Sequence, residues 1–447
     1  MKLLLNTTTF EHNLKNESEQ LFIFEPDSGI ENHVVNLYPD VRYQTFEGFG
    51  GAITDSAGYV YSKMNSEQKK QVMDTYFGKK ELCYGKVRIH LDSCDFSVSQ
   101  YEAVSDPEDT GLQTFDLSRM KEYLIPLLED AAKTLGKVPE ILVSPWSPPA
   151  FMKTNGERSH GGKLKSEYKK LWAEYICRYI TELRKLGFDV LGMTLQNEPN
   201  AVQTWDSCIY DGEEEKEFLR DYMYPALEKN ELTGIDIYIW DHNKERVFER
   251  ACQVIDQDTD RMITGVAFHW YSGDHFEALD LLRERFPGKK LILSEACIEY
   301  SKYGSEGYLA NAQKYAHDII GNINNGMNAF YDWNILLDET GGPNHAGNLC
   351  DAPFLYNAEK QELIERNTLS YIRHFSHYIQ QGATRIAYTK YTDRLEVTAM
   401  ANPDGKLVLV LLNRSEEKLP VVIRLKGKYV SFEMEKESIA TGMIELE

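Results

Sequence analysis

Two glutamates stand where an apolar strand gives way to a polar segment. Glu198 lies in LGMTLQNEPN, just before Pro199, and Glu295 lies at the same point of LILSEAC. A carboxyl pair across a pocket suits glycosidic cleavage, because one group protonates the leaving oxygen and the other attacks the anomeric carbon or activates water. Either glutamate alone is also consistent with a helix cap or a surface ion pair. The two together, with aromatic neighbours, favour the glycosidic chemistry.

Aromatic residues near the same strand ends indicate the substrate class. They fall at or just beyond predicted strands: Trp146, Trp205, Trp270, Tyr271 and Trp333. Sugar rings pack an apolar C–H face on an indole ring, while their hydroxyl groups need polar partners. Such partners are available in Arg88, Asp95, Asn197 and Asn348. A single tryptophan is more often a core residue, so the prediction of a sugar site depends on their coincidence with the two glutamates.

Motifs of other enzyme classes are missing from the sequence. It has no G-x-S-x-G elbow, no Walker A motif and no G-x-G-x-x-G after a strand. His374 and His377 have helical spacing among aromatic residues, which predicts packing rather than metal binding. His269 is expected to be a hydrogen-bond partner at the rim. Cys297 is expected to line the pocket, because no His–Asn arrangement is present to activate its thiol. We therefore predict no metal and no cofactor.

The composition limits the partners. Lys and Arg number 49 against 70 Asp and Glu, a net charge of −21, which argues against nucleic acid because such binding depends on neutralising phosphates. The seven cysteines stand singly with no C-x-x-C, which argues against a disulfide scaffold or zinc ribbon. The opening MKLLLNTTTFEHNL has only three leucines before polar residues, an apolar run too short for a secretory signal. The late apolar run 407–412 has the length of a strand. We predict a soluble, cytoplasmic protein without a membrane segment. The sequence does not indicate an oligomeric state.

The order of elements predicts how the two glutamates are positioned. Eight strand candidates alternate with helical patterns and start near Thr45, Gly85, Glu140, Asp189, Gly234, Ile263, Lys290 and Ala329. Their spacings of 27 to 55 residues are long enough for right-handed crossovers. Eight strands in strict alternation predict a (β/α)8 TIM barrel rather than a doubly wound sheet. Active sites of such barrels lie at the carboxyl ends of the strands, where both glutamates are predicted to be.

The pattern changes after about Gln381. Short strands broken by the turns NPDG and RLKGK replace the alternation, and the opening segment has strand candidates at 21–24 and 33–37. This predicts a small β-sandwich built from both chain termini. The predicted division is 1–44 for the N-terminal strands, 45–382 for the catalytic barrel and 383–447 for the C-terminal β-sandwich.

Several motifs occur together in a specific order. They are FEGFGGAITDSA, SCDFSVSQY, SPWSPPAFMKTNG, QNEPNA, FHWY, SEAC, DWN and GGPN. The ordered set resembles glycoside hydrolase family 30, and within it the glucosylceramidase (acid β-glucosidase) branch. The resemblance runs from about Tyr43 to Ser415 and implies a retaining β-glycosidase with a (β/α)8 barrel and a β-sandwich.

The resemblance also implies residue roles. It makes Glu198 the acid/base, since QNEP matches that motif, and Glu295 the nucleophile, since SEAC matches the other. It implies that Asp95 and Trp146 contact the hydroxyls of the terminal glucose and that Asn197 contacts the 2-hydroxyl. Trp333 would form the floor of the sugar site and Asn348 part of its rim. Arg88 and Tyr271 would support the nucleophile. The segment 200–211, which carries Trp205, has no residue-by-residue match. Phe151 stands where relatives often have a second tryptophan.

The expected activity is a metal-independent, exo-acting retaining β-glucosidase. A cytoplasmic enzyme would meet imported glucosides or short oligosaccharides more naturally than a membrane glycolipid, although a glycolipid substrate stays open. Alternatives on the same scaffold are a β-1,6-glucanase and an exo-β-xylosidase or β-fucosidase. A non-catalytic glycan-binding protein is a more distant alternative.

Overall fold

Residues 1–446 are described in this computed structural model. The strands are β1 (Lys2–Glu11), β2 (Leu14–Ile23), β3 (Glu25–Pro26), β4 (Val34–Thr45), β5 (Gly48–Ala52), β6 (Lys86–Leu91), β7 (Glu140–Pro145), β8 (Val190–Thr194), β9 (Asp236–Asn243), β10 (Gly265–His269), β11 (Lys290–Glu295), β12 (Ala329–Asp332), β13 (Leu336–Asp338), β14 (Phe354–Asn357), β15 (Glu362–Glu365), β16 (Thr384–Thr389), β17 (Leu395–Ala401), β18 (Leu407–Asn413), β19 (Leu419–Leu425), β20 (Lys428–Met434) and β21 (Ser438–Glu445). The α-helices are α1 (Asp55–Ser62), α2 (Ser66–Phe77), α3 (Ser118–Leu135), α4 (Lys169–Lys185), α5 (Gly212–Glu217), α6 (Tyr224–Lys229), α7 (Val247–Val254), α8 (Phe276–Arg285), α9 (Tyr300–Tyr303), α10 (Tyr308–Asn324) and α11 (Asn367–Ser376).

Strands β5 to β12 close into an eight-stranded parallel barrel, with β12 paired to β5. All six residues of β6 are buried, as expected for a strand covered by side chains inside the barrel and by helices outside it. The prediction of a (β/α)8 barrel is confirmed. The two glutamates follow β8 and end β11, the fourth and seventh barrel strands.

Closure of the barrel depends on a close approach between β5 and β6. A Cβ on Gly50 would lie 2.4 Å from the backbone oxygen of Lys86, whereas a Cβ on Gly85 would meet nothing within 4 Å. We therefore expect Gly50→Ala to lower the free energy of unfolding by about 1–3 kcal/mol, the usual range for overpacking. Gly85→Ala is the matched control. Denaturant unfolding followed by circular dichroism would contradict this account if the two variants were equally stable.

Ten further strands form a second sheet in the order β2-β1-β21-β18-β17-β16-β4-β19-β20-β3. The termini meet in it, because β1 pairs antiparallel with β21. The sheet has its own core, which includes Leu3, Leu409 and Ile444. The predicted β domain from both termini is confirmed.

The strands at the chain ends, β1 and β21, were not predicted from the sequence. Polar residues interrupt their hydrophobic pattern, and the structure gives these residues internal partners. The two ring nitrogens of buried His374 lie 2.8 Å from the hydroxyls of Thr8 and Thr441. Gly442 also interrupts the pattern of β21, and a Cβ at this position would lie 2.6 Å from the side chain of Leu3. Both features are contacts between segments far apart in the chain, so local patterning does not contain them.

Strands β13, β14 and β15 form a small separate sheet that was not predicted. These strands are only three or four residues long, too short for a period to register. The segment between β13 and β14 carries Asn348 to the carboxyl end of the barrel. Among residues 1–446, no helix combines the length and apolar character that crossing a bilayer requires.

Candidate active site

A cavity of about 220 Å³ opens at the carboxyl ends of the barrel strands. It is lined by Asp95, Trp146, Asn197, Glu198, Gln203, Trp205, His242, Asn243, Tyr271, Glu295, Cys297, Glu299, Trp333, Asn348 and Cys350. Pockets for drug-sized ligands measure about 300–1,000 Å³, so this cavity suits a smaller ligand, of about one sugar ring. It brings together eight of the predicted residues besides the two glutamates.

A larger hollow of about 380 Å³ lies at the opposite end of the barrel. Its charges are paired with one another: Lys86 contacts Glu140, and Lys290 lies 2.8 Å from Glu47 and 3.2 Å from Asp236. These ion pairs give the charged lining a structural role, which is to close the amino end of the barrel.

The two glutamates face each other within this cavity. A carboxylate oxygen of Glu198 and one of Glu295 lie within 4.8 Å of each other. Glu198 has a left-handed backbone with φ 47°, and its amide donates to the carbonyl of Asp241 at 3.0 Å. Retaining glycosidases have carboxyl groups about 5–5.5 Å apart, and inverting enzymes about 6.5–9.5 Å. The separation therefore fits double displacement, in which one carboxylate attacks directly.

Glu295 is held in place by a cation and a phenol. Arg88 Nη1 donates to its Oε2 at 2.7 Å, and the hydroxyl of Tyr271 donates to its Oε1 at 2.9 Å. Arg88 is fully buried and also donates to Asp241 at 2.8 Å and to Asn197 at 3.0 Å. Burial raises the pKa of Glu295, and the charges of His269 and Arg88 act in the opposite direction. Both hydrogen bonds favour the ionised form that a nucleophile requires.

His269 lies between two carboxylates. Its Nδ1 is 3.2 Å from Oε1 of Glu198, and its Nε2 is 3.1 Å from Oδ1 of Asp241. Burial alone would lower the pKa of His269, but the carboxylates of Glu295, Asp241 and Glu198 outweigh it and raise the pKa to about 9. Burial likewise opposes the influence of His242 and His269 on Glu198, and the net effect lowers the pKa of Glu198 to about 2. These opposite pKa shifts favour a proton on His269 over one on Glu198.

Two tryptophans and one carboxylate form the inner wall. The rings of Trp146 and Trp333 stack with centroids 5.2 Å apart and an interplanar angle of 21°. Asp95 Oδ2 accepts from Nδ2 of Asn348 at 3.1 Å, while the buried Oδ1 accepts no hydrogen bond within residues 1–446. Burial, together with the charge of Glu295, raises the pKa of Asp95 to about 8. An acceptor oxygen left open at a cavity wall fits a ligand hydroxyl group.

The cavity has a buried inner layer and a half-exposed outer layer. The inner layer is Asp95, Trp146, Asn197, Glu295, Cys297, Trp333 and Cys350. The outer layer is Gln203, Trp205, His242, Asn243, Tyr271, Glu299 and Asn348. Glu198 is half-buried and faces Glu295 across the boundary. A substrate bound with its glycosidic oxygen at Glu198 would place the glycosyl unit inside and the leaving group outside.

The loop that carries Trp205 is fixed by a buried ion pair. Asp206 Oδ1 accepts from Nε of Arg158 and from the hydroxyl of Ser93, both at 2.7 Å, and Oδ2 lies 3.1 Å from Nε2 of His345. These contacts place Trp205 at the mouth of the cavity. The same loop supplies Gln203, whose side chain helps to lower the pKa of Glu198.

Two of the aromatic residues weighed in the sequence analysis lie elsewhere. Trp270 is buried, donates from Nε1 to the carbonyl of Cys297 at 3.0 Å and packs on Tyr315, so its assignment as a candidate sugar platform was wrong. Phe151 packs edge-on against Tyr168 and does not line the cavity.

Cys297 lines the cavity beside the nucleophile candidate. Its sulfur lies 3.3 Å from the hydroxyl of Tyr271. Burial raises the pKa of the Cys297 thiol well above its ordinary value, and a protonated thiol is a poor nucleophile.

Six residues of the site were not predicted from the sequence: Gln203, Asp241, His242, Asn243, Glu299 and Cys350. A partial signal was present in WDHN, a polar cluster at the end of β9. The register of β10 against β9 shifts at this point, and Trp240 and Asp241 have φ of 73° and 51°. Such a bulge re-aims side chains near active sites. Because it arises from pairing between strands, the sequence alone does not predict which of the four residues face the cavity.

Glu198, His269 and Glu295 are also the one group of three potential metal-binding side chains found close together in the described chain. Both ring nitrogens of His269 are already engaged by Glu198 and Asp241. The hydrogen bonds of His269 and the proximity of the two carboxyl groups account for this grouping.

Comparison with known families agrees with this geometry. A family model described as "Glycosyl hydrolase family 30 TIM-barrel domain" matches residues 46–379. A second, described as "Glycosyl hydrolase family 30 beta sandwich domain", matches residues 382–442. The chain belongs to glycoside hydrolase family 30.

Relatives within family 30 differ in specificity. Lysosomal acid glucosylceramidase of Mus musculus is 30% identical over 410 residues, covering 87% of this chain and 79% of that protein. The crystal structure of SrfJ from Salmonella typhimurium superposes with a TM-score of 0.96 and 35% identity, covering 100% of both chains. Endo-1,6-β-D-glucanase of Neurospora crassa is 25% identical over 433 residues, covering 91% of this chain and 86% of that protein. The family membership and the glucosylceramidase relatives identify this chain as a retaining O-glycosyl hydrolase.

Proposed function

We propose that this family 30 enzyme is an exo-acting β-glucosidase that releases terminal β-D-glucosyl residues. The observation that carries the proposal is the carboxyl pair, within 4.8 Å, at the boundary of a cavity of about 220 Å³. An inner layer that is buried and has room for about one ring favours cleavage at a chain end over cleavage within a polymer. The reaction proposed here uses no metal.

In the first step, a carboxylate oxygen of Glu295 attacks the anomeric carbon of the bound glycoside. The bond from that carbon to the glycosidic oxygen breaks, and Glu198 gives a proton to the departing oxygen. The product is a glycosyl ester of Glu295 and a free alcohol. In the second step, Glu198 accepts a proton from water, which attacks the same carbon and releases both the sugar and the carboxylate of Glu295.

The catalytic proton is shared between Glu198 and His269. In the open cavity the ion pair of imidazolium and carboxylate is favoured, and Nδ1 of His269 holds the proton 3.2 Å from Glu198. Substrate that excludes water lowers the local dielectric and favours the neutral pair, in which Glu198 carries the proton. Asp241, on the other ring nitrogen, keeps the imidazole oriented for this transfer.

This sharing predicts a bell-shaped dependence of kcat/KM on pH. Activity falls at low pH as Glu295, whose pKa is raised, becomes protonated, and falls at high pH as His269 loses its proton near a pKa of about 9. In His269→Gln we expect the alkaline limb to move to lower pH, because Glu198 must then hold the proton alone. His377→Gln, outside the cavity, serves as the control. An alkaline limb that His269→Gln leaves unmoved would contradict the shared proton.

Glucose is the proposed sugar because the inner layer has the residues that the glucosylceramidase resemblance assigns to glucose hydroxyls, Asp95 and Trp146 among them. Glucosylceramidase relatives support β-glucosides as substrates. The test is a panel of aryl β-glycosides of glucose, xylose and fucose, together with gentio-oligosaccharides. We expect the highest kcat/KM on the glucoside, and glucose as the first product from gentio-oligosaccharides.

The second candidate is a β-1,6-glucanase, which the similarity to the Neurospora crassa endo-glucanase favours. Early release of internal fragments from gentio-oligosaccharides would establish this alternative and overturn exo action. A xyloside or fucoside preferred over the glucoside would overturn the proposed sugar.

A further inference from the structure

Glu299 is a carboxylate in the cavity to which the proposed reaction gives no role. It lies four residues after Glu295, lines the outer layer and is half-buried. Its backbone is fixed by a bridge to Cys350, a hydrogen bond from the amide of Tyr300 to the carbonyl of Leu349 at 3.0 Å, and one from Asp351 to Ile298 at 2.8 Å. The side chain therefore starts from a rigid position at the mouth.

The carboxylate of Glu299 accepts no hydrogen bond within the described residues. It precedes the short helix α9 but makes no side-chain cap to it. The neighbouring cation, Lys302, directs its ammonium to the carbonyl of Tyr271 at 3.0 Å instead. No helix cap and no salt bridge within residues 1–446 engages the carboxylate of Glu299, and the residue lines the cavity.

The positive charge that acts most strongly on Glu299 is that of Lys302, which lies outside the cavity lining. No lysine or arginine lines the cavity within residues 1–446. The one imidazole of the outer layer, His242, has its pKa lowered by burial, while the charge of Glu198 acts in the opposite direction. Burial raises the pKa of Glu299, the charge of Lys302 acts in the opposite direction, and the charges of Glu198 and Glu295 raise the pKa further.

We propose that Glu299 determines leaving-group specificity: it favours glucosides whose leaving group carries a positive charge and disfavours those with a negative charge. The geometric basis is its place in the outer layer, outside Glu198, where the leaving group of the proposed reaction lies. Attraction between unlike charges across a half-exposed mouth stabilises a bound cationic group, and repulsion of a carboxylate acts in the opposite sense. This inference rests on the proposed function.

The test compares phenyl β-D-glucosides that bear a neutral, a trimethylammonio or a carboxylate substituent at the meta position. For each enzyme, kcat/KM of the cationic glucoside is divided by that of the anionic glucoside. Comparing this ratio between wild type and Glu299→Gln cancels the intrinsic difference between the two phenols. We expect the ratio to fall by about tenfold in Glu299→Gln, the effect of one unit charge at close range in a wet site.

Glu306→Gln is the matched control, because Glu306 is exposed and lies outside the cavity lining. The wild-type ratio gives a second readout that needs no variant: it should decrease as ionic strength rises, since salt screens the interaction. An unchanged ratio in Glu299→Gln, or a wild-type ratio indifferent to salt, overturns the role of Glu299 while the neutral glucoside is still hydrolysed. No hydrolysis of the neutral glucoside by wild type would instead count against the proposed function, and would remove the basis for the inference.

Discussion

Glu295→Gln is expected to abolish hydrolysis of an aryl β-D-glucoside, lowering kcat by about 10⁴-fold or more, as loss of a covalent nucleophile does elsewhere. Glutamine keeps the shape of the side chain, and its one amide oxygen can still accept from Arg88, while its NH2 group takes the place of the oxygen that accepts from Tyr271. It lacks the negative charge that attacks the anomeric carbon. Steady-state kinetics on the purified variant measure the loss, and circular dichroism checks that the fold is retained.

The control for Glu295→Gln is Glu306→Gln, the same change at an exposed residue outside the cavity. It should leave kcat within about twofold, as surface substitutions usually have small effects. A second experiment separates nucleophile from general support: azide added to Glu295→Gly should restore turnover and yield an α-glucosyl azide, because the anion attacks from the vacated side. Substantial activity of Glu295→Gln without any added anion would contradict the assignment.

Glu198→Ala is expected to lose activity in proportion to the basicity of the leaving group. General acid catalysis contributes about 10²–10⁴-fold when the departing oxygen needs a proton. For alkyl glucosides we therefore expect kcat/KM to fall by about that range. For glucosides of acidic phenols, which depart without a proton, the first step should be nearly unaffected, and the glycosyl-enzyme should accumulate because Glu198 also activates water.

A plot of log(kcat/KM) against leaving-group pKa tests this prediction. The slope should be steep for Glu198→Ala and shallow for wild type and for Glu306→Ala, the matched control. Azide should accelerate Glu198→Ala on activated glucosides and give a β-glucosyl azide. Equal losses for good and poor leaving groups would remove Glu198 from the acid/base role.

The sequence was sufficient to predict the barrel because its signal is local and repeated. Each barrel strand is an apolar run followed by polar residues, and the helical patterns between strands have the length of a crossover. The strands at the chain ends, β1 and β21, were not predicted, for the opposite reason. Polar residues in β1 and β21 are satisfied by His374 of α11, a contact between segments more than 350 residues apart for Thr8.

The site was predicted where a residue sits at a strand end within a recognisable motif. Glu198, Glu295, Asp95 and Trp146 met that condition, and their positions in the structure agree with it, while Arg88 lies within β6.

Residues whose direction depends on neighbouring strands were missed or misplaced. Asp241 faces the buried network because of the irregular backbone at the end of β9, and Trp270 turns into the core beside Tyr315. Glu299 carried no signal at all, since its position depends on a bridge to Cys350 across two loops.

The anomeric form of the first product tests the central claim most directly. Wild-type enzyme is incubated with an aryl β-D-glucoside, and the released sugar is followed by proton NMR before mutarotation proceeds. Double displacement through Glu295 predicts that the β-anomer of glucose appears first and the α-anomer only later. Early appearance of the α-anomer would mean a single inverting displacement and would contradict Glu295 as a nucleophile.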